Sequence, residues 1–127
     1  SQHASIIEFR CSQYHSSTGL YPIAEAWGRI LDWENNLPTE RWHKLFAYVD
    51  GLKMDPSGNV AILGHWLGLS ADERFTIPEM TPQKLKERTI DLVLEWLQKL
   101  AEQGPVLIVF EDLHWIDPSS LEFLTQH

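Results

Sequence analysis

Two adjacent carboxylates, Glu111 and Asp112, follow directly after the apolar run Val106–Phe110. A short apolar run that begins after a Gly-Pro pair predicts a strand buried on both faces, as in a parallel sheet covered by helices. Ligands of such sheets bind beyond the carboxyl ends of the strands, so the two acids should lie at a ligand site. Carboxylate oxygens suit a phosphate-bound magnesium ion and its attacking water. The sequence therefore predicts a magnesium and phosphate site at the end of this strand.

Two further polar residues, His114 and Asp117, follow the acid pair. His114 could contact phosphate, but a lone histidine beside a tryptophan is more often a packed, hydrogen-bonded side chain. Asp117 precedes Pro118, so its simplest interpretation is the cap of a helix over 118–126. A zinc site is disfavoured, because the spacing does not match His-Glu-x-x-His and no second histidine lies within a helical turn.

The composition predicts one partial domain in a reducing compartment. The chain has 127 residues, 43% of them hydrophobic, with a net charge of −8 and a single cysteine, Cys11. One cysteine cannot form an internal disulfide, which favours the cytoplasm. The basic residues are scattered, which disfavours nucleic acid binding, and no apolar run approaches the roughly 20 residues of a membrane helix. The chain opens on strand-like sequence without Met, as expected of a piece of a longer protein.

Hydrophobic periodicity predicts an α/β chain with two parallel strands and about five helices. A strand over 5–11 leads into a helix that begins at Pro22 and should stop near Asn35. The segment Ser70–Met80 is irregular, and Thr81-Pro82 is a cap-then-proline start for the longest helix. The other predicted helices cover 39–51, 59–69 and 118–126, and four tryptophans on helical apolar faces are predicted core residues: Trp27, Trp42, Trp66 and Trp96.

Three segments of the chain resemble segments of the signal-transduction ATPases with numerous domains, and they occur in the same order as in that family. Within that group the chain is similar to the AAA-type, origin-recognition-like ATPase module of bacterial adenylate cyclases and LuxR-type regulators. The most specific block is Glu-Asp-Leu-His-Trp-Ile-Asp, which has the form of a Walker B region at 106–112 and its continuation. The resembling segments are Phe9–His15 with Leu20–Pro22, Ser70–Thr89, and Val106–Leu121.

The resemblance implies a fragment of a P-loop NTPase with a three-layer αβα fold, so that 1–127 would be a partial ATPase domain. It assigns Glu111 to holding magnesium and its waters, and Asp112 to magnesium and to orienting the attacking water. Many members have Asp at the position of Glu111. The chain has no Gly-x-x-x-x-Gly-Lys-Ser/Thr loop, so ATP and magnesium would need the loop that lies upstream in this family.

Two functions follow as hypotheses. In the first, the chain belongs to an ATP-binding and ATP-hydrolysing switch that controls an attached output domain, with room for nucleotide-dependent self-association; this segment alone would be inactive. In the second, it is a non-catalytic scaffold with a remnant Walker B, whose helices rich in Trp and Leu bind a protein partner. An upstream sequence without the Gly-Lys-Ser/Thr loop would favour the scaffold.

Overall fold

The fold is mixed α/β, with two parallel strands joined by a helical crossover. A computed structural model of the chain describes residues 5–10 and 20–111. The two strands pair directly, which confirms the prediction that they are parallel neighbours. The elements are β1 (Ser5–Arg10), α1 (Tyr21–Ile30), a 3₁₀ turn (Trp33–Asn35), α2 (Pro38–Gly51), α3 (Asn59–Trp66), α4 (Pro82–Gln103) and β2 (Val106–Glu111).

The described residues contain four α-helices, and the fifth predicted helix, 118–126, lies outside them. Helix α4 begins as predicted, since the Thr81 hydroxyl accepts a hydrogen bond from the Lys84 backbone N–H at 3.1 Å. Helix α2 begins one residue before the expected cap, Thr39. Leu37 takes the cap position instead, and its N–H donates to Glu40 Oε1 at 3.3 Å.

Two helices end earlier than predicted. Helix α1 stops at Ile30 rather than near Asn35, because Asp32 adopts a left-handed backbone with φ of 54°. Helix α3 stops at Trp66 rather than Leu69. There Gly68 has φ of 78°, and the Leu69 N–H donates back to the Gly64 carbonyl at 2.9 Å, which closes the helix with a Schellman motif. Both ends depend on single residues with positive φ, which periodicity does not detect.

The core is built around aromatic side chains of the helices. Three of the four predicted core tryptophans are buried, Trp27, Trp42 and Trp96, and Trp66 is half-buried against them. The Trp96 indole N–H donates to the Tyr48 hydroxyl at 2.9 Å. Burial raises the pKa of Tyr48, and this hydrogen bond opposes the rise. Tryptophan is thus used here for packing between helices.

The two faces of the sheet differ in burial, which corrects the prediction that β2 is buried on both faces. On the helix-covered face, Ile7 and Phe9 of β1 are buried. On the opposite face, Ile6 is 68% exposed and Leu107 is 58% exposed, and Val109 is exposed too. The prediction was wrong for the described part of the chain because its helices pack against only one face of the sheet. An apolar face is left open to solvent.

The segment 70–80, predicted to be irregular, packs against α2. The Trp42 indole N–H donates to the Ser70 carbonyl at 2.7 Å, and the Trp42 and Phe75 rings stack with centroids 4.8 Å apart. Arg74 lies over the Phe75 ring and donates to Asp72 Oδ2 at 2.7 Å. The segment therefore has a defined conformation without regular secondary structure.

Asp72 should make this segment sensitive to acid. Hydrogen bonds from the Arg74 side chain and backbone lower the pKa of Asp72 from 3.8 to about 2. A carboxyl whose pKa is lower in the folded state stabilises the fold above its unfolded pKa, and that contribution is lost as the pH falls toward about 2. We expect Asp72→Asn to lower the urea midpoint at pH 7, with a difference from wild type that shrinks below about pH 4. Glu73→Gln is the matched control, and an Asp72→Asn difference that stayed constant down to pH 3 would contradict the linkage.

Candidate functional site at the carboxyl end of the sheet

The carboxyl ends of both strands lie side by side at one edge of the sheet. The register pairs Phe9 with Phe110 and Arg10 with Glu111. Glu111 is the last residue of β2, so the predicted position of the first acid at a strand end is confirmed at the level of the backbone. The other predicted site residues, Asp112, His114 and Asp117, lie outside the described residues.

Apolar contacts directly behind these ends hold the two strands in position. Phe9 is 1% exposed and meets the half-buried Phe110 edge-on, with ring centroids 5.0 Å apart. Two residues earlier on the same face, Ile7 is in register with Ile108. Ile7 is part of the main core, and Ile108 packs against that core. The last backbone positions before the candidate site are therefore fixed by aromatic and aliphatic packing.

Helix α1 is tied to β1 by Arg29. Its guanidinium donates to the backbone carbonyl of Glu8 and forms an ion pair with Glu25 at 2.8 Å. The Glu25 and Arg29 spacing of four residues is a helical ion-pair pattern that can be read from sequence. The bond to Glu8 cannot be read in this way, because it joins two elements. Sequence reasoning did not single out Arg29, although it helps place the strand that ends at the candidate site.

The residue types at the end of β2 and directly after it are those that suit a hard divalent cation. Glu111 and the following Asp112 provide carboxylate oxygens, the ligands that magnesium prefers. In nucleotide sites magnesium keeps several waters and takes one or two protein carboxylates together with phosphate oxygens, so two acids are sufficient. Within residues 5–10 and 20–111, no group of three or more His, Cys, Asp and Glu side chains comes together as a metal site.

The helices also form a groove away from the strand ends. It lies between α1 and α3 and brings together acidic and indole side chains. Trp33 packs so closely on Gly28 that an added Cβ there would lie 2.9 Å from the indole Cδ1. The groove is lined by Ala24, Glu25, Gly28, Arg29, Asp32, Trp33, Glu34, Trp66, Leu67 and Gly68. Glu25 and Arg29, the ion pair of α1, lie on the wall of this groove.

Comparison with known proteins does not name an activity. No protein-family model matches the chain, and no solved structure matches it. An uncharacterized protein of Rhizobium meliloti (strain 1021) is 35% identical over 43 residues, which are 34% of this chain and 4% of that protein. The chain thus matches only a small part of that relative's length. Among the described residues, no helix combines the length and the apolar character needed to cross a bilayer.

Proposed function

We propose that this chain is part of an ATP-binding and ATP-hydrolysing switch module that controls an attached output domain in the cytoplasm. The observation that carries the proposal is the placement of Glu111 at the carboxyl end of β2, beside the parallel strand β1. Open parallel sheets bind ligands at this edge. The sequence that continues from Glu111, with Asp112, His114 and Asp117, has the form of a Walker B region.

The geometry of the strands supports a P-loop type of sheet in three ways. The strands are parallel and adjacent, the helices of the crossover cover one face, and the opposite face exposes Ile6, Leu107 and Val109. Exposed apolar side chains on that face would be buried by a further layer of helices. A P-loop NTPase has such a layer, because helices cover both faces of its sheet. The three-layer αβα fold is therefore part of the proposal.

In this function the two consecutive acids, Glu111 and Asp112, would hold the magnesium ion. Magnesium, when bound, supplies neutralisation of phosphate charge. Asp112 accepts a hydrogen bond from the attacking water and orients it toward the γ-phosphate. The phosphates themselves would be held by the loop that lies upstream in this family, because this sequence contains no Gly-Lys pair.

The test is magnesium-dependent ATP turnover by the full-length protein and by its Asp112→Asn variant. We expect the variant to lose turnover by about a hundredfold, the range seen when a group that positions the nucleophile is removed. Nucleotide affinity should stay within about threefold, because phosphate binding depends on the upstream loop. Asp117→Asn is the control, since a helix cap should affect stability and not turnover. Equal loss of affinity and turnover in Asp112→Asn would assign Asp112 a structural role.

The scaffold hypothesis has one observation in its favour. Ile30 of α1, Phe46 of α2 and Leu37, which caps α2, are large apolar side chains exposed to solvent that could contact a protein partner. Against it, three of the five tryptophans in the described part of the chain are buried in the core, Trp27, Trp42 and Trp96. Full-length protein that neither binds nor hydrolyses ATP, and that loses a partner on Phe46→Ser with Leu37→Ser, would favour the scaffold over the switch.

A further inference from the structure

The groove between α1 and α3 is lined by two half-buried indoles that are held in place. Trp33 and Trp66 both line it, and both pack against the hydrophobic core. The pyrrole side of the Trp33 indole lies closest to Gly28, where an added Cβ would be 2.9 Å from Cδ1. The Trp66 ring meets the buried Trp27 ring edge-on, with centroids 6.1 Å apart. The groove therefore has an aromatic wall whose rings are fixed by packing.

The same groove is negatively charged. In the part of the chain that the structure describes, its lining contains three acidic residues, Glu25, Asp32 and Glu34, and one basic residue, Arg29. The ion pair between Glu25 and Arg29 leaves the charges of Asp32 and Glu34 in excess. A concave site lined by an excess of one charge attracts the opposite charge. Its volume of about 510 Å³ lies within the range of small-molecule sites, so we expect a small cation.

The hydrogen bonds on the wall narrow the class of cation. Both oxygens of Glu25 accept from the Arg29 guanidinium, at 2.8 Å and 3.0 Å. Asp32 Oδ1 accepts from the Asn35 side-chain N–H at 2.8 Å. These carboxylates offer charge more than vacant acceptor positions, which suits a cation without N–H donors. Indole faces attract such cations through the ring quadrupole, as in the recognition of quaternary ammonium ligands.

We propose that this groove binds a small quaternary ammonium ion. The alkylated nitrogen lies against the indoles of Trp33 and Trp66, and the carboxylates of Asp32 and Glu34 supply the opposing charge. Among the described residues, the lining includes no residue of β1 or β2. The proposal therefore stands independently of the ATPase function proposed for the strand ends.

Choline and its neutral isostere, 3,3-dimethylbutan-1-ol, provide the test. The two molecules have nearly the same shape and differ in charge, so their comparison separates recognition of a cation from burial of an apolar group. An NMR titration with the full-length protein follows the methyl signal of each ligand. We expect choline to bind with a Kd of about 1 mM or tighter, and the isostere at least about tenfold more weakly. Equal affinities, or no binding of choline up to about 20 mM, would overturn the proposal.

Variants of the aromatic wall assign the binding to this groove. Trp33→Leu should weaken choline binding by at least about fivefold, and Trp33→Phe by less, because phenylalanine keeps an aromatic face. Gly28→Ala should weaken it without removing a ligand-binding group, since the added methyl group displaces the Trp33 indole. Gly51→Ala is the matched control, because an added Cβ there meets nothing within 4 Å. Unchanged choline binding in both Trp33→Leu and Gly28→Ala would place the ligand elsewhere.

Variants of the two acids test the role of charge. Asp32→Asn keeps the side-chain shape, and asparagine tolerates the left-handed backbone of this position, with φ of 54°. Combined with Glu34→Gln, it should reduce choline affinity by at least about fivefold and leave the affinity of the isostere unchanged. Glu79→Gln with Glu102→Gln is the control, which removes two charges from exposed residues outside the groove. An equal loss in the control would mean that the net charge of the chain attracts choline, and the site would be refuted.

Discussion

Phe9→Ala should lower the free energy of unfolding by about 3–5 kcal/mol, the range for truncating a buried aromatic side chain. Phe9 is on the helix-covered face of β1, is 1% exposed, and packs edge-on against Phe110. Its removal would leave a cavity directly behind the strand ends that carry the candidate site. Urea unfolding of the purified 127-residue chain, followed by tryptophan fluorescence, would measure the loss.

Ile6 is the matched control for Phe9, since it lies on the same strand and is 68% exposed on the other face. Ile6→Ala should change the free energy of unfolding of this chain by less than about 1 kcal/mol. A loss as large as that of Phe9→Ala would show that both faces are covered. If the full-length protein has the three-layer fold that we propose, the Ile6→Ala loss should grow there toward about 2–4 kcal/mol, because the second helical layer would bury this face.

Local signals in the sequence were enough to predict where most elements lie. The start of α4 depends on the Thr81 hydroxyl and Pro82, two neighbouring residues whose preferences act within one turn. Helix α2 also ends at Gly51 as predicted, although the left-handed residue that follows it is Lys53, with φ of 65°. The early end of α1 was missed because Asp32 adopts a left-handed conformation, which is uncommon for a non-glycine residue and leaves no mark on hydrophobic spacing.

Burial and register could not be predicted in the same way. The apolar run of β2 indicated burial on both faces, yet Leu107 is exposed, because the burial of a strand depends on which elements cover it. The pairing of Arg10 with Glu111 was likewise hidden. A long helical crossover separates the two parallel strands, and no tight turn fixes their register. The sequence predicted a strand-end acid, and the structure adds the backbone position on β1 with which it is in register.

Gly64→Ala should destabilise the protein by about 3 kcal/mol, the upper part of the range for overpacking a core. Gly64 is buried in α3, and a Cβ at this position would lie 2.2 Å from both Cη2 and Cζ3 of Trp42. Trp42 cannot withdraw freely, because its indole N–H is bonded to Ser70 and its ring is stacked on Phe75. A gain of about 1 kcal/mol in helix propensity is too small to offset this clash.

Gly51→Ala separates the clash from the general effect of replacing a helical glycine. Gly51 ends α2, and an added Cβ there would meet nothing within 4 Å. We therefore expect Gly51→Ala to leave the urea midpoint unchanged or to raise it slightly. In the Gly64→Ala background, Trp42→Phe should recover part of the lost stability, because the smaller ring makes room for the methyl group. Strictly additive losses would mean that Trp42 is not the obstacle, and that α3 packs against α2 differently from the arrangement described.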